Sequence, residues 1–413
     1  MEIIELNEQR FNDFSVTYPQ SNFYQSVNYA NFMSKRGYEI LYLGLTDNMD
    51  GIKAAALLLI KTDEASKKKI AYSPRGFLIN WNDDYLISEF TNKIKEFLDK
   101  KKITSLKIDP NIVYKEHNFD GSEKFTGESN TSIIKKLQSL GYIHLGYNNG
   151  METYKLRWNC LCKLNNNIIN LYNTLPKSGR DKIKAASEYG IKIYKGTNSD
   201  INLFYTILDN ANAKLDYFLD IYQFFNKSNE FEIYFAKLEP SSFVNSSKLK
   251  YENEEKRNNE LNMLLQDFNN PNKDAIINEK LKSDELLNKY KKDMQDAIKS
   301  FQKNPNGIFL ASTIVIKYAG TVNFFSNAHN KYYENYYAEY LLKWKLIEKY
   351  AKEGYKIVNH LGIMGDFSGE YNNLLRRELS NEIVEYVGEF DLVINKKNYY
   401  SGSKIINWLN KPI

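Results

Sequence analysis

The residue types that usually perform catalysis are sparse in this sequence of 413 residues and do not fall into familiar spacings. There is no Gly-rich phosphate loop, no H-E-x-x-H motif and no G-x-S-x-G elbow around a serine. The cysteines Cys160 and Cys162 lack a second pair that would complete a zinc site. The histidines have no ligand spacing and are expected to be structural; they are His117, His144, His329 and His360. No metal and no cofactor is predicted, so the chemistry must need little covalent help.

One reaction of this kind joins an amine to an acyl group that is already activated. An enzyme for it need only align the two groups, accept a proton and stabilise the developing oxyanion. Carboxylates, a lysine or arginine, and tyrosines suffice, and the chain has 32 tyrosines. A tyrosine offers a stacking face and a hydroxyl, which suit a polar ligand cleft. The codon bias of a low-GC genome explains the same enrichment, so composition leaves the question open.

Charge and hydropathy indicate a cytosolic protein without restricting its partners much. The 56 basic and 51 acidic residues leave a net charge of +5, too mild to indicate a dedicated nucleic-acid binder, although a local basic groove stays open. The amino terminus has no signal-peptide pattern, and the most apolar run, residues 54–60, is too short to span a bilayer. A membrane-attached substrate would therefore be visited from the cytoplasm.

Alternating strand and helix patterns predict an α/β (α+β) protein with one plan used twice. In the first half the predicted elements are a helix over 26–36, strands over 39–45, 52–61 and 69–77, a helix over 83–101, a strand over 105–108, a loop over 115–130 and a helix over 132–140. A strand over 150–158 is expected to enter a second domain. Its further elements are helices over 180–189, 202–214 and 336–352 and strands over 191–194, 307–319, 321–326 and 357–361.

These patterns predict a first domain over 1–150, completed by 383–413, and a second over 151–382. Residues 246–303 form a charged, nearly glycine-free insertion. Its apolar residues recur at helical spacing; they are Leu261, Leu264, Leu265 and Phe268, then Leu287, Tyr290, Met294, Ala297 and Phe301. A turn signal over 269–272 separates the two runs. The insertion is predicted to be an antiparallel coiled-coil arm, with a helix pair lying flat on the body as the alternative.

Six short segments stand out in order along the chain. They read FYQSVNYA at 23–30, AYSPRGF at 71–77, LKIDP at 106–110, RDKIKAA at 180–186 with Gly190-Ile191 after it, GIMGDF at 362–367 and EYVGEFDL at 385–392. Together they resemble the motifs of the Fem-type (FemABX) peptidyltransferases, which build the interpeptide bridges of peptidoglycan. Tyr29 stands where that family usually has tryptophan.

The resemblance implies two tandem acetyltransferase-like (GNAT) domains, with a helical arm in the second. It implies transfer of an amino acid from aminoacyl-tRNA to the stem peptide of a peptidoglycan precursor, either lipid II or UDP-MurNAc-pentapeptide. Such an acceptor would bring the protein into transient contact with the inner face of the membrane. The arm predicted from apolar spacing falls where the resemblance implies one, and it is a candidate contact for tRNA or for a related transferase.

The resemblance also implies site residues in the first half. Asp109 stands where the family has an aspartate near the acceptor, able to accept a proton or orient the amine. An aspartate before proline at a strand end can equally just cap a turn. Lys35 or Arg36 would contact the phosphates of the precursor, unless it merely ends a solvated helix. Tyr72 and Arg75 are expected to line the cleft.

In the second half the resemblance implies a role for Arg376 and Arg377, which replace a pair of lysines. Arg376 would contact the acceptor end of the tRNA or polarise the ester carbonyl, and Glu389 occupies an acidic position of the family. Either could instead serve a structural ion pair. Lys214 opens a segment that replaces an arginine-aspartate-glycine-phenylalanine element and is a candidate substrate contact.

Two departures from the family pattern leave alternatives open. Residues 375–381 read LRRELSN and lack every glycine and phenylalanine of the corresponding segment, and arginine keeps the charge of lysine without its geometry. An inactive or retuned paralogue that binds another bridge-forming transferase is therefore the main alternative. An acyl-CoA acetyltransferase is disfavoured, because neither half has a Gly-rich pyrophosphate-binding turn.

Overall fold

A computed structural model describes residues 1–63, 67–127, 129–208, 213–266, 271–368 and 371–400. Its strands are β1 (Glu2–Glu5), β2 (Glu39–Thr46), β3 (Ile52–Thr62), β4 (Lys69–Ser73), β5 (Ile103–Ile108), β6 (Val113–His117), β7 (Tyr142–His144), β8 (Trp158–Lys163), β9 (Ile191–Lys195), β10 (Phe231–Leu238), β11 (Ile308–Tyr318), β12 (Thr321–His329), β13 (Ile357–Ile363), β14 (Glu382–Tyr386) and β15 (Phe390–Val393). Its helices are α1 (Glu8–Thr17), α2 (Val27–Lys35), α3 (Asp84–Lys100), α4 (Thr131–Ser139), α5 (Ile168–Thr174), α6 (Lys177–Ser187), α7 (Ile201–Ile207), α8 (Leu215–Phe225), α9 (Pro240–Gln266), α10 (Lys273–Lys303), α11 (Ala338–Lys352), α12 (Tyr371–Glu378) and α13 (Lys396–Tyr400).

The strands form two sheets with the same beginning. The first sheet has the order β1-β2-β3-β4-β5-β15-β7, and the second, taken from its far edge, has the order β9-β10-β11-β12-β13-β8-β14-β6. In each, three antiparallel pairings are followed by one parallel pairing, β4 with β5 and β12 with β13. Helix α3 connects the parallel strands β4 and β5, and helix α11 connects β12 and β13. The mixed α/β class is thereby confirmed, with one strand plan used twice.

The chain does not pass from one sheet to the other at a single point. Strand β6 precedes residue 150 but pairs with β14 in the second sheet, and β15 returns to pair with β5 in the first. The division into domains at residues 150 and 151 stays a prediction, as does its completion by residues 383–413. Of that carboxyl-terminal segment, residues 401–413 lie outside the described part of the chain.

A shared apolar core holds the two sheets together. Strand β3 is buried on both faces, which explains its uninterrupted apolar sequence. Ala54, Ala56 and Leu58 pack into the core of the first half, while Leu57 and Leu59 turn the other way. There they join side chains of α1, α2, α7 and α8 and the facing strands β10 and β11 in a single cluster. The packing of this apolar cluster therefore fixes the distance between the two sheets.

Most predicted helices and strands are present, with corrected ends. The predicted helix stops Gly37, Gly141, Gly190 and Gly354 all have φ between 72° and 91°, the left-handed region that glycine adopts readily. The predicted strand over 69–77 ends at Ser73, and the predicted loop over 115–130 begins inside β6. The helix predicted over 202–214 ends at Ile207, and residues 209–212 lie outside the described ranges.

The insertion contains the two longest helices, α9 and α10, packed against each other. Leu261 and Ala297 are buried, Ala297 within the apolar core of the second half, whereas Leu264 and Phe301 are exposed. Phe268 and the turn residues 269 and 270 lie outside the described ranges. Whether the pair is a coiled coil stays a prediction. Among the helices of the described segments, none combines the length and apolarity that crossing a bilayer requires.

A polar layer lies between these helices. Ser283 Oγ donates to Glu254 Oε1 at 2.6 Å and accepts from Asn258 Nδ2 at 3.1 Å, and all three residues are buried. A slip of one helix past the other would leave these buried groups without partners, at a free-energy cost. The layer therefore fixes the register of α9 against α10.

The segment before β8 differs from the prediction. Instead of a strand over 150–158, it is a loop with one isolated bridge, between Met151 and Leu156, and the strand begins at Trp158. Gly362 of β13 lies against this loop, where an added Cβ would fall 2.4 Å from Leu156 Cβ. Glycine at position 362 therefore sets how closely the loop approaches the second sheet.

We expect Gly362→Ala to lower the free energy of unfolding by about 1–3 kcal/mol, because the new methyl group overpacks this contact. Gly150→Ala is the matched control, since its Cβ would meet only Met364 Cε at 3.5 Å, an ordinary contact. Chemical denaturation of both variants measures the difference. Equal stability of the two would contradict the close approach at Gly362.

Candidate functional site

The carboxylate of Asp109 is the centre of a buried ion cluster at one edge of the first sheet. Asp109 follows β5, and Arg75 follows the parallel neighbour β4, so both leave the sheet at the same edge. The Arg75 backbone N–H donates to Asp109 Oδ1 at 2.6 Å, and Arg75 Nη1 lies 3.8 Å from Asp109 Oδ2. Lys155 Nζ, from the loop that precedes β8, donates to Asp109 Oδ2 at 3.2 Å. One carboxylate is therefore held by two cations from different parts of the chain.

Arg75 is fixed by its backbone as well as by its charge. Its φ of 50° is left-handed, and its N–H is bonded to Asp109. The guanidinium lies 4.6 Å from the centre of the Tyr386 ring and donates to the Leu156 carbonyl oxygen at 3.1 Å. Burial opposes its charge, but Asp109 and the neighbouring tyrosines outweigh burial and raise the pKa of Arg75. Arg75 therefore stays cationic.

Tyrosines surround the Lys155 ammonium. Lys155 Nζ donates to the Tyr72 hydroxyl and lies 4.3 Å from the centre of the Tyr24 ring and 4.9 Å from that of Tyr72. Tyr154 stacks on Tyr72 with 4.3 Å between ring centres. Burial raises the pKa of Tyr24 to about 12, so its hydroxyl stays protonated. Burial also lowers the pKa of Lys155 to about 8, and the Asp109 carboxylate only partly offsets that effect.

A cleft of about 160 Å³ opens above this cluster, between the first and second sheets. Arg75, Lys155, Tyr24 and Tyr154 line it, whereas Asp109 and Tyr72 are not among its described lining residues. A neighbouring cavity of about 340 Å³ shares part of the wall. The shared wall consists of asparagines, namely Asn22, Asn111, Asn323 and Asn359. The cleft thus combines a charged floor with uncharged walls of amide and apolar side chains.

Glu389 supports the loop that carries Lys155. Its Oε1 accepts from the Thr153 N–H at 2.9 Å, and its Oε2 accepts from the Thr153 hydroxyl. Lys107 Nζ lies 3.5 Å from Glu389 Oε2 and 2.9 Å from Asp391 Oδ1. Glu389 is therefore buried next to the ion cluster and anchors the loop, and it does not line the cleft in the described structure.

Glu152, in the loop that carries Lys155, is another carboxylate with a buried side chain. Its Oε1 has no hydrogen-bond partner within the described segments, and Arg157 Nε lies 3.9 Å from it. Burial, with the charge of Glu389 adding to it, raises the pKa of Glu152 to about 7. Near neutral pH this side chain is therefore divided between its acid and carboxylate forms.

The two predicted arginines of α12 go to different places. Arg376 Nη1 donates to the carbonyl oxygen of Gly362, a residue that lines the cleft, so Arg376 lies behind the wall of the second sheet. Arg377 instead lies over the rings of Phe119 and Phe367, 5.3 and 4.9 Å from their centres. In the described structure Arg376 and Asp109 therefore each reach the cleft through a lining residue, Arg376 through Gly362 and Asp109 through Lys155.

The predicted phosphate contacts lie at the junction of α2 and α8. Asp220 accepts from Lys35 Nζ at 2.7 Å and from Arg36 Nη1 at 3.4 Å. The Arg36 guanidinium also lies 4.7 Å from the centre of the Tyr217 ring. Lys214 is exposed just before α8. In the described structure Lys35 and Arg36 thus share Asp220 as partner and form no ion pair with Asp109.

Lys155 is the functional candidate that sequence reasoning missed. A strand over 150–158 would have made it one polar residue among several on an exposed face. The signal that could have found it is the sequence Glu152-Thr153-Tyr154-Lys155, whose charged residues are three apart. Strand alternation would put those two residues on opposite faces, so the pattern favours a loop.

Comparisons with known proteins agree over nearly the whole chain. The model of the FemAB family matches residues 6–407. Aminoacyltransferase FemA of Staphylococcus epidermidis is 25% identical over 418 residues, covering 97% of each chain. Aminoacyltransferase FemA of Staphylococcus aureus (strain bovine RF122 / ET3-1) is 23% identical over 414 residues, again covering 97% of each. The crystal structure of FemX has the same fold, with a TM-score of 0.75 at 16% identity over 97% of this chain and 99% of that one.

We expect Glu152→Gln to stabilise the protein at neutral and alkaline pH but not at acidic pH. The folded pKa of about 7 lies above the ordinary 4.5, so the native state binds this proton more tightly, and the contribution of Glu152 to stability is lost as pH rises through 7. Glutamine cannot ionise, so the free energy of unfolding should rise by up to about 3 kcal/mol near pH 8 and hardly change near pH 4. Urea denaturation across this range measures it.

Glu385→Gln is the control, for which we expect the opposite change in the free energy of unfolding. Burial opposes the charge of Glu385, but a hydrogen bond from His117 and the charge of Arg157 lower its pKa. This substitution should therefore cost stability at alkaline pH. If both variants shifted stability in the same direction near pH 8, the assignment for Glu152 would be wrong.

Proposed function

Because the chain belongs to the FemAB family, we propose that it is a tRNA-dependent aminoacyltransferase that builds interpeptide bridges. It moves an amino acid from aminoacyl-tRNA to the stem-peptide amine of a peptidoglycan precursor, either lipid II or UDP-MurNAc-pentapeptide. The observation that carries this proposal is the cleft between the two sheets, whose floor is the Asp109, Arg75 and Lys155 ion cluster. The full-length similarity to proteins named aminoacyltransferase FemA supports the reaction class.

The cleft suits the alignment of an amine with an activated ester. The ester supplies the driving force, so the enzyme contributes mainly orientation, proton transfer and charge stabilisation. In our proposal the acceptor amine enters the cleft above Asp109. The Asp109 carboxylate balances the positive charges of Arg75 and Lys155 at the floor. Arg376 and Glu389 serve the ester end, Arg376 from behind Gly362 and Glu389 by holding the Thr153 loop.

The cations at α2 and α8 are candidates for the phosphates of the precursor. Lys35 and Arg36 share Asp220 as their partner, and exposed Lys214 begins the helix that carries it. A phosphate would replace or join the carboxylate, since both accept charge-assisted hydrogen bonds from lysine and arginine. We propose Arg377, half-exposed beside Phe119, as a further contact for substrate.

The helix pair of α9 and α10 is a candidate surface for tRNA or for a related transferase, and we propose that it projects as a coiled-coil arm. The acceptor would place the protein at the inner face of the membrane during turnover. The alternative function is a retuned or inactive paralogue. In its favour, Glu378 of the altered 375–381 segment is buried and accepts from Lys182 and from the Tyr340 hydroxyl, a structural use of that segment.

One assay separates these functions. The purified chain is offered pooled charged tRNAs with lipid II or with UDP-MurNAc-pentapeptide, and the product is identified by mass. The expected product is the precursor heavier by one amino-acid residue, and its mass names the amino acid. An inactive partner would leave both tRNA and precursor unchanged while still binding a second transferase.

We expect Asp109→Asn to lower the rate of transfer by about 100-fold or more, because it removes the carboxylate that holds Lys155 Nζ and orients groups at the floor of the cleft. Asparagine keeps the acceptor for the Arg75 N–H, so the circular dichroism spectrum should be that of the parent.

Glu232→Gln is the matched control for this variant. It also removes a buried carboxylate with lysine partners, but in β10, away from the cleft. Asp109→Asn turning over as fast as the parent would remove Asp109 from the site. Equal losses in both variants would assign the effect to general destabilisation.

A further inference from the structure

Lys155 stands between the Asp109 carboxylate and the cleft. Its ammonium bonds to Asp109 at 3.2 Å, and within the described chain Lys155 lines the cleft whereas Asp109 does not. Any group that enters the cleft therefore meets Lys155 Nζ before it reaches the carboxylate. An ammonium has three N–H donors, and the described structure uses two of them, on Asp109 and on the Tyr72 hydroxyl. One donor position is left for a substrate.

The surroundings of Lys155 oppose its positive charge more than those of a surface lysine. Three elements bring charged groups to it: Asp109 after β5, Arg75 after β4 and Glu389 between β14 and β15. Both carboxylates favour the ammonium, while burial and Arg75 disfavour it, and the balance lowers the pKa of Lys155 to about 8. The rings of Tyr24 and Tyr72 complete the enclosure. A lysine in this state can both take up and release a proton near neutral pH.

We propose that Lys155 is the catalytic residue that moves the proton in the transfer reaction, and that Asp109 is a positioning residue that acts through it. This inference rests on the proposed function, and it assigns the proton to a side chain that touches the cleft. Asp109 holds Nζ in place and sets its basicity, while the Tyr72 hydroxyl fixes its direction.

The proposed step balances without any further reactant. The neutral acceptor nitrogen attacks the ester carbonyl carbon, a C–N bond forms and the carbonyl electrons move to oxygen. Neutral Lys155 Nζ takes the proton that this nitrogen loses. As the tetrahedral intermediate collapses, the C–O bond to the ribose breaks, and Lys155 gives the proton to the departing oxygen. The products are the amide and a tRNA with a free hydroxyl, and Lys155 is neutral again.

In an alternative interpretation Lys155 is a plug, that is, a side chain that blocks the substrate position. Its ammonium occupies the place next to Asp109 that an acceptor ammonium would take, so it would have to leave before substrate binds. The two readings predict opposite results for the removal of the amine. A plug can be replaced by an apolar residue without loss of turnover, whereas a proton-transferring group cannot.

The test compares Lys155→Arg and Lys155→Met with the parent in the transfer assay. Arginine keeps the positive charge beside Asp109 but holds its proton too tightly to transfer it. We expect both variants to lower kcat by about 100-fold or more with KM within a few-fold of the parent. In the parent, kcat should rise with pH through a limb near 8, and this limb should be absent from Lys155→Arg. Lys317→Arg and Lys317→Met are the controls, since Lys317 is also ion-paired and largely buried, on Glu232 away from the cleft.

A chemical rescue covers the case in which Lys155→Met fails to fold. Lys155→Cys, alkylated with 2-bromoethylamine, rebuilds a lysine-like amine and should recover kcat. Cys160 and Cys162 should not react, because burial raises the pKa of each thiol to about 12, and the parent treated in the same way checks this.

Three results would decide against the proposal. Parent-like or faster turnover in Lys155→Met would establish the plug, and an unchanged pH limb in Lys155→Arg would assign the proton to another group. Both outcomes leave the proposed function standing. A parent chain that forms no product with any charged tRNA would overturn the proposed function, and the present inference with it.

Discussion

The burial of one carboxylate, Asp109, is the constraint on which the geometry of the site depends. A carboxylate removed from water must keep cationic partners or lose its charge. Its partners here are Arg75, from the same sheet edge, and Lys155, from the loop that leads into the second sheet. Arg75 in turn bonds to Leu156 in that loop and lies over Tyr386 of β14. The requirement to neutralise a single charge thus ties both halves of the molecule around the cleft.

Packing of apolar side chains fixes the distance that the ion cluster of Asp109, Arg75 and Lys155 has to span between the two sheets. The apolar cluster between β3 and strands β10 and β11 sets the spacing of the sheets, and across that spacing the loop before β8 brings Lys155 to Asp109. On the other wall, Gly362 lets Leu156 approach β13 closely, and Arg376 holds the Gly362 carbonyl from behind. The charged floor and both walls are therefore consequences of close contacts outside the cleft itself.

The local sequence pattern predicted those helices and strands whose position depends on the burial of their own apolar residues. Apolar patterning placed α3, α11, β2, β3 and β11 within a few residues. Helix α3 buries one regular stripe, and the three strands are long apolar runs that are buried on both faces. The motif resemblance brought Tyr72, Arg75 and Asp109 into one site. Lys155 was missed because its role comes from a contact 46 residues away, which no pattern within the loop reveals. Residues 115–117 of β6 were predicted as loop because they are polar and only half-buried, as befits the edge of a sheet.

The neutral walls of the cleft matter for the same electrostatic reason as its floor. Asparagine side chains donate and accept hydrogen bonds without carrying charge, so Asn22, Asn111 and Asn323 offer partners for a polar substrate without adding a charge to the cleft. A carboxylate in their place would raise that affinity, and a further cation would lower it, each by an amount comparable with the shift that burial produces. Because charge is confined to a single cluster, the pKa of Lys155 stays close to neutral pH. The rest of the cleft is left to bind substrate through hydrogen bonds.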